Sequence, residues 1–188
     1  MRIRFSAVAA SSTLFLALGP VLTHGQSGLV AQSVPGSTAV ANPTYVTIHL
    51  EIDVNRPAAE VWRRVGKYCD IAEWLPVVRE CTILSGSDGE VGAVRSVANE
   101  VLVGKTDLSY TYTQPVREGR PYNLYHGTLE ARRVTENTSK LVYTLMFDNS
   151  MLPDDAARAR DLERRRAMFT GALQNMKILA EGGTRPRQ

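Results

Sequence analysis

The sequence predicts an α+β fold in which one curved antiparallel sheet packs around a long C-terminal helix. Three observations lead to this prediction: a strand-like alternation from Thr44, a run of further β segments divided by turns, and a final helical segment of nearly thirty residues. A long helix with one apolar face must bury that face, and the inner face of the sheet is its available partner. A sheet curved around one helix leaves space between the two layers, so the sequence also predicts a cavity for a ligand.

The first strand is predicted from a period of two, which indicates one buried face. Its apolar positions are Val46, Ile48, Leu50, Ile52 and Val54. Pro57 then suits the start of a short helix, where its missing N–H costs nothing. A second short helix is expected from about Asp70 to Leu75, and Pro76 closes it.

Further β segments follow as far as Asp148, with turn-forming residues between them. They are predicted at Val77–Leu84, Ala93–Val103, Leu108–Thr113, Asn123–Val134 and Lys140–Asp148. We expect Gly104–Asp107 to join the second and third of these segments.

The C-terminal segment has a helical period. Pro153 suits its first turn, and Asp154 and Asp155 complement the positive end of the helix dipole. Its apolar stripe comprises Leu162, Phe169, Leu173, Met176 and Leu179. Arginines at 158, 160 and 164–166 are interpreted as a solvated face, with a peripheral contact to anionic lipid headgroups as the alternative. Gly182-Gly183 ends the helix.

The N-terminus has the pattern of a secretory signal peptide: Arg2 and Arg4 precede an uncharged apolar stretch broken by Gly19-Pro20. The apolar core is short for a membrane span, which favours cleavage over anchoring. The domain prediction is therefore a signal peptide at 1–25, a flexible linker at 26–43, a ligand-binding domain at 44–182 and a tail at 183–188. We expect an exported protein, periplasmic or secreted.

Charge and cysteine content limit the possible functions. The chain has 22 basic and 19 acidic residues, and removing residues 1–25, which hold two arginines and no acid, leaves the mature chain close to neutral. We therefore expect no nucleic-acid partner. Cys69 and Cys81 form a disulfide or remain two buried thiols, because sequence spacing leaves both open. No metal site or cofactor is expected, and the sequence predicts no oligomeric state.

Several short motifs, in their order along the chain, resemble the START-like or SRPBCC superfamily, and its bacterial polyketide cyclase/dehydrase and lipid-transport members in particular. The resemblance covers about Val46 to Leu179. The residues that carry it are Ile52–Pro57 with Glu60-Val61-Trp62, Trp74–Val78, Gly92–Arg95, Glu100-x-Leu102, Tyr110–Tyr112 and Tyr125–Leu129.

The resemblance implies the helix-grip fold, with a seven-stranded sheet, and a hydrophobic ligand such as a lipid, a polyketide or an aromatic compound. This sequence departs from the family in one place, since only Ser96–Asn99 separate the Gly-x-x-Arg strand from the Glu-x-Leu strand. The hairpin must be short or the two strands must run together. A gating role for the corresponding loop, as in hormone-receptor relatives, is therefore not expected.

The candidate ligand-binding residues are mostly aromatic. The resemblance implies that Tyr110, Tyr112, Tyr125 and Tyr143 face the cavity, where a tyrosine offers apolar area and one hydroxyl. The alternative is that these tyrosines are core residues bonded to protein or water. The predicted lining also includes Phe147, Phe169 and Leu173.

Arg95 and Glu100 are the charged residues of greatest interest. If both point inward they can pair, or Arg95 can hold a ligand carboxylate, because a buried charge needs a partner. We favour the simpler interpretation, an exposed ion pair at a strand edge.

The favoured function is an exported binding or carrier protein for a hydrophobic small molecule. The alternative is a polyketide cyclase/dehydratase-like enzyme that uses Glu100 with cavity tyrosines as acid and base. A third possibility is an interaction module whose cavity is plugged by large side chains. His126 is expected on the opposite face of its strand, away from the cavity.

Overall fold

The structure is a computed structural model that describes residues 42–116 and 122–185. The predicted signal peptide, residues 26–41 of the linker and residues 186–188 of the tail lie outside the described residues. Ten elements follow in order: β1 (Tyr45–Val54), α1 (Ala58–Val65), α2 (Ile71–Trp74), β2 (Ile83–Ser85), β3 (Val94–Arg95), β4 (Glu100–Thr106), β5 (Ser109–Thr113), β6 (Tyr125–Arg133), β7 (Ser139–Asp148) and α3 (Asp155–Ala180). In these ranges no helix is long and apolar enough to cross a membrane.

The seven strands form one antiparallel sheet in the order β1-β7-β6-β5-β4-β3-β2. The first strand pairs with the last, from Tyr45 opposite Asp148 to Val54 opposite Ser139. α3 packs against β1, β7 and the two short helices. This is the helix-grip fold that the sequence predicts, with two short helices after the first strand and a sheet of seven strands.

The β3–β4 hairpin is as short as the sequence requires. Arg95 pairs directly with Glu100, and the Glu100 N–H donates to the Val97 carbonyl at 3.0 Å. Ala98 and Asn99 adopt φ of 50° and 54°, the left-handed conformation that a type I′ turn needs at both central positions. The predicted segment Ala93–Val103 is therefore two strands, and β4 continues through the expected linker as far as Thr106.

The predicted strand Val77–Leu84 is wrong over most of its length. β2 begins only at Ile83, and Val77 is 71% exposed. The reason is the lack of a partner, since β3 offers only two residues for pairing and the backbone before Ile83 has no strand beside it. Alternation in the sequence cannot reveal that a neighbouring strand is too short.

Cys69 and Cys81 form a disulfide, with Cα atoms 5.2 Å apart. The sequence left open a disulfide or two separate buried thiols, and the structure has the disulfide. The bond joins the segment between α1 and α2 to the chain just before β2, and it closes a short loop that contains α2.

α3 begins as predicted, because Asp154 is its N-cap and accepts from the Ala157 N–H at 2.6 Å. Its buried stripe differs from the prediction at the N-terminal end. Asp161 and Arg165 are buried there, whereas Leu162 is only half-buried. Treating Arg165 as part of a solvated face was wrong, because its position is in phase with Phe169 and Leu173, four and eight residues later.

Gly127 on β6 provides the space for a core tyrosine. It pairs with Tyr112 of β5, and a Cβ at this position would overlap the Tyr112 ring. Gly171 on α3 is different, since a Cβ there would meet no atom within 4 Å. The absent side chain at 127 therefore lets the Tyr112 ring lie flat over the neighbouring strand.

We expect Gly127→Ala to destabilise the fold by about 1–3 kcal/mol, because the added methyl forces the Tyr112 ring out of its position. The matched control, Gly171→Ala, should stabilise by roughly 0.5–1 kcal/mol, because alanine is the better helix former. Urea unfolding of both variants measures the difference. Equal effects of the two substitutions would contradict the role of Gly127.

Candidate functional site

The predicted aromatic lining lies inside the protein and is packed against itself. Seven predicted residues are between 0% and 4% exposed: Tyr110, Tyr112, Tyr125, Tyr143, Phe147, Phe169 and Leu173. The ring centroids of Tyr143 and Phe169 are 4.7 Å apart, and those of Tyr125 and Phe147 are 5.8 Å apart. The first contact joins β7 to α3, and the second joins two neighbouring strands of the sheet. Ligand contact at these residues stays a prediction.

Two hydroxyls within this layer satisfy each other. The Tyr112 and Tyr143 hydroxyl oxygens are 2.9 Å apart, and both side chains are buried. Burial raises the pKa of both phenols well above the ordinary value, so both stay neutral. This pair therefore behaves as the predicted alternative describes: core tyrosines bonded to protein.

Arg95 and Glu100 form a buried ion pair, so the favoured interpretation of an exposed pair was wrong. Their side chains are 0% and 3% exposed, and Arg95 Nε donates to Glu100 Oε2 at 2.7 Å. Arg95 Nη2 lies 2.5 Å from the same oxygen, outside hydrogen-bonding geometry. Gln114 Nε2 donates to Glu100 Oε1 at 2.8 Å, so both carboxylate oxygens are engaged.

Aromatic rings and one carbonyl surround the guanidinium of Arg95. Its central carbon lies 4.2 Å from the ring centroid of Tyr68 and 4.8 Å from that of Tyr112. Arg95 Nη1 also donates to the Tyr68 carbonyl. These contacts replace much of the water that the cation loses on burial.

Burial acts on both charges in this pair. Burial alone would lower the pKa of Arg95, but the surrounding tyrosines and Glu100 keep that pKa above its ordinary value. Burial raises the pKa of Glu100 and outweighs the opposing effects of Arg95 and Gln114. The Arg95 guanidinium thus remains charged, and its hydrogen bond from Nε keeps the Glu100 carboxyl group beside it.

A second buried cation lies at the other end of the sheet–helix layer. Arg165 Nε donates to Asp161 Oδ2 at 2.9 Å, and Arg165 Nη1 donates to the Tyr125 hydroxyl at 3.2 Å. The guanidinium carbon lies 4.0 Å from the Tyr122 ring centroid. Burial alone would raise the pKa of Asp161, but hydrogen bonds from Arg165, Arg164 and Tyr122 hold it below the usual value. This network fixes α3 to the sheet.

An open cleft lies between α1 with its following segment and the β4–β5 strands. Its volume is about 590 Å³. Trp62, Tyr68, Leu102 and Tyr110 supply its apolar surface. The rest of the lining is Arg63, Gly66, Lys67, Asp88, Gly89, Lys105, Thr106, Asp107 and Ser109. We call this space the α1 cleft.

Two tyrosines in the lining of the α1 cleft have buried hydroxyls without partners. Tyr68 and Tyr110 are 1% and 3% exposed, and their hydroxyls have no hydrogen-bond partner among residues 42–116 and 122–185. The two rings meet edge to face, with centroids 5.4 Å apart. Buried polar groups are normally hydrogen-bonded, so such an unpaired couple beside a cleft indicates a place for a ligand atom.

The rim of the cleft carries charges of both signs. Arg63 and Lys67, on the α1 side, are exposed and pair with no acid in the described part of the chain. Lys105 is engaged by Glu90 at 2.7 Å, and Asp88 and Asp107 lie on the sheet side. Within the described ranges, no group of three or more His, Cys, Asp or Glu is placed to hold a metal ion.

Of the nine predicted site residues, only Tyr110 lines the α1 cleft, and Arg95 lies behind it. The sequence analysis missed Tyr68, Leu102 and the role of Trp62. Trp62 and Leu102 were quoted within family motifs, so a signal for them existed. Tyr68 precedes Cys69 in an irregular segment, where no periodicity marks which way a side chain points.

We expect Glu100→Gln to cost about 3–5 kcal/mol of unfolding free energy, because it leaves the buried Arg95 charge uncompensated. The double variant Arg95→Met/Glu100→Gln should recover much of that loss, since no buried charge remains. Glu90→Gln, in the exposed pair with Lys105, is the matched control and should cost less than about 1 kcal/mol. Urea unfolding tests all three, and similar costs for Glu100→Gln and Glu90→Gln would refute the argument.

Solved structures share this architecture. A protein from Thermobifida fusca, solved by NMR, is 25% identical with a TM-score of 0.61, and the match covers 76% of this chain and 99% of that one. The Zhui aromatase/cyclase from Streptomyces sp. R1128 is 18% identical with a TM-score of 0.57, covering 75% and 100%. Truncated norcoclaurine synthase from Thalictrum flavum is 12% identical with a TM-score of 0.56, covering 78% and 99%.

The sequence itself gives the family. No curated protein matches the chain. Residues 45–181, from the start of β1 to just beyond α3, match the family described as polyketide cyclase / dehydrase and lipid transport. The fold, the order of its motifs and this match agree, and the chain belongs to the polyketide cyclase/dehydrase and lipid-transport family.

Proposed function

We propose that this protein binds a compact hydrophobic small molecule, oxygenated at one end, in the α1 cleft. The observation that carries the proposal is the pair of buried hydroxyls of Tyr68 and Tyr110, which are unpartnered in the described part of the chain. Membership of a family described by cyclisation, dehydration and lipid transport supports a hydrophobic ligand. The ligand's oxygen would accept the hydrogen bonds that these two phenols lack.

The apolar part of the cleft suits a flat ring system. The half-buried Trp62 has its ring centroid 5.6 Å from that of Tyr110, and Leu102 lies in the same wall. A volume of about 590 Å³ is within the range of small-molecule sites, roughly 300–1,000 Å³. Aromatic walls bury a ring efficiently and leave few rotatable side chains to be ordered on binding.

The Tyr68 and Tyr110 hydroxyls are suited to donate hydrogen bonds and do not ionise at physiological pH. Burial raises the pKa of both Tyr68 and Tyr110, although the nearby Arg95 cation opposes the effect. Both phenols therefore stay neutral at physiological pH and can donate to a carbonyl, ether or phenol oxygen. The Arg95 guanidinium, 4.2 Å from the Tyr68 ring centroid, adds positive potential behind them.

A second candidate is an enzyme that acts on a carbonyl compound in the same cleft. The observation that favours it is Glu100, which lies outside the cleft lining but has a raised pKa and a position beside Arg95, features of an acid–base group. Both Glu100 oxygens are engaged by protein donors, which favours binding over proton transfer. Recovery of an unchanged ligand from the protein supports the carrier, and conversion that Tyr110→Phe slows supports the enzyme.

We also propose that the protein is exported, either to the periplasm or to the medium. The predicted signal peptide at 1–25 and the Cys69–Cys81 disulfide support this location, because disulfides persist mainly in oxidising compartments.

For ligand binding, we expect 1-tetralone, which carries a ketone, to bind about three- to tenfold more tightly than tetralin, its hydrocarbon counterpart. One or two net hydrogen bonds account for a difference of that size. The preference should disappear in Tyr68→Phe/Tyr110→Phe while the affinity for tetralin is kept. Titration calorimetry and quenching of Trp62 fluorescence measure both affinities.

Tyr45→Phe is the matched control, because Tyr45 is 58% exposed and lies outside the cleft lining. It should retain the full preference for tetralone. No measurable binding of either compound at millimolar concentration would overturn the hydrophobic carrier. Equal binding of the two compounds would overturn the role of the hydroxyls only.

For export, we expect full-length protein expressed in a bacterium to be recovered outside the cytoplasm with its N-terminus near residue 26. Fractionation followed by N-terminal sequencing measures both properties. Intact protein beginning at Met1 in the cytoplasm would contradict the proposal, as would membrane-bound protein that keeps residues 1–25.

A further inference from the structure

We infer that the Cys69–Cys81 disulfide switches the α1 cleft between a ligand-binding and a non-binding form. The inference rests on the proposed function, because it concerns the affinity of the same cleft. Its basis is the position of the cross-link, which joins the two walls of the cleft through the chain on either side of it.

Each end of the disulfide is continuous with one wall. Cys69 directly follows Tyr68, whose side chain lines the cleft from the α1 side. Cys81 lies two residues before β2, and the turn after β2 supplies Asp88 and Gly89 to the opposite side. The covalent bond therefore fixes the distance between a wall made by the helical layer and a wall made by the sheet edge.

Few backbone hydrogen bonds hold β2 itself in place, although Lys105 Nζ donates to the Gly89 carbonyl at 2.9 Å and so ties the turn after β2 to β4. β2 has three residues and pairs with β3 at only two positions, with an irregularity between them. Next to Cys81, the Ser96 N–H donates to the Thr82 carbonyl at 2.9 Å, and the Thr82 N–H donates to Ser96 Oγ at 3.1 Å. An edge strand with so short a ladder opens at little cost once the cross-link is removed.

The helical side is anchored beyond Tyr68 without the disulfide. Trp74 Nε1 donates to the Val65 carbonyl at 3.3 Å, and Asn175 Nδ2 of α3 donates to the Trp74 carbonyl at 3.0 Å. Trp74 is fully buried. α2 therefore stays on α3 after reduction. Tyr68 keeps the hydrogen bond from Arg95 Nη1 to its carbonyl, so the change is concentrated in the chain next to Cys69 and in the segment from Cys81 to β2.

The chemistry of the switch is thiol–disulfide exchange. A disulfide-bearing oxidoreductase accepts two electrons and two protons from the Cys69 and Cys81 thiols, which leaves one S–S bond here and a dithiol on the oxidant. A dithiol reductant reverses the step through a mixed disulfide. Both cysteine residues are half-buried and neither is enclosed in the core. The chain made in a reducing cytoplasm would thus carry no ligand until it is oxidised.

The test compares 1-tetralone binding by oxidised protein, by protein reduced with dithiothreitol, and by Cys69→Ser/Cys81→Ser. We expect at least tenfold weaker binding in the last two, with unchanged far-ultraviolet circular dichroism at 15 °C. Reoxidation of the reduced protein should restore the affinity. The serine variant, treated with the reductant, should not change further, which controls for effects of the reductant itself.

Three results would overturn the inference. Equal affinity of oxidised and reduced protein would remove the switch and leave the proposed function standing. Loss of far-ultraviolet circular dichroism on reduction would show that the disulfide supports the whole fold and not the cleft. Absence of binding by the oxidised protein would instead refute the proposed function, and the switch with it.

Discussion

The buried ion pair of Arg95 and Glu100 is the interaction on which the candidate site depends. Moving two charges out of water costs several kcal/mol per ion, so the pair persists only where protein groups replace the lost hydration. Here the replacements are the Tyr68 carbonyl, the Gln114 amide and the faces of the tyrosine rings around the guanidinium. The type I′ turn at Ala98-Asn99 places Arg95 directly opposite Glu100 on the neighbouring strand. The two side chains can therefore meet without bending away from their strands.

This pair also determines why two hydroxyls remain free. Arg95 holds Tyr68 through the backbone carbonyl and the face of its ring, and it makes no hydrogen bond to the Tyr68 hydroxyl. Glu100 could accept from a phenol, but Arg95 and Gln114 occupy both of its oxygens. Tyr112, two residues after Tyr110 on the same face of β5, forms a hydrogen bond with the Tyr143 hydroxyl instead. The deeper tyrosines are satisfied within the protein, and only those beside the cleft are left to a ligand.

The sequence predicted the fold well because it depends on signals that act over short distances. The alternation of apolar and polar residues predicted β1, β5, β6 and β7, and the helical period predicted α3. The order of the motifs predicted the seven-stranded helix-grip fold. The errors at Val77–Leu84, Arg95, Glu100 and Arg165 have a common cause, since each outcome depends on packing against residues elsewhere in the fold. β2 is short because β3 is short. Arg165 has its counter-ion, Asp161, on the same helix, but the Tyr122 and Tyr125 side chains that cover it come from another part of the chain. The same limitation hid Tyr68, whose direction is determined by Arg95 and the disulfide.

The location of the cleft follows from the distribution of side-chain volume along the helical layer. Among the described residues beneath α3, Phe169 packs on Tyr143 at 4.7 Å between centroids, and Arg165 joins α3 to Tyr125 of β6. α1 is only eight residues long, and a Cβ at Gly66, which follows it, would overlap the indole of Trp62. The glycine leaves room for the Trp62 indole, whose ring centroid lies 5.6 Å from that of Tyr110 on β5. So short a helix covers little of the β4–β5 strands, and Trp62 forms one wall of the space that stays open to a ligand.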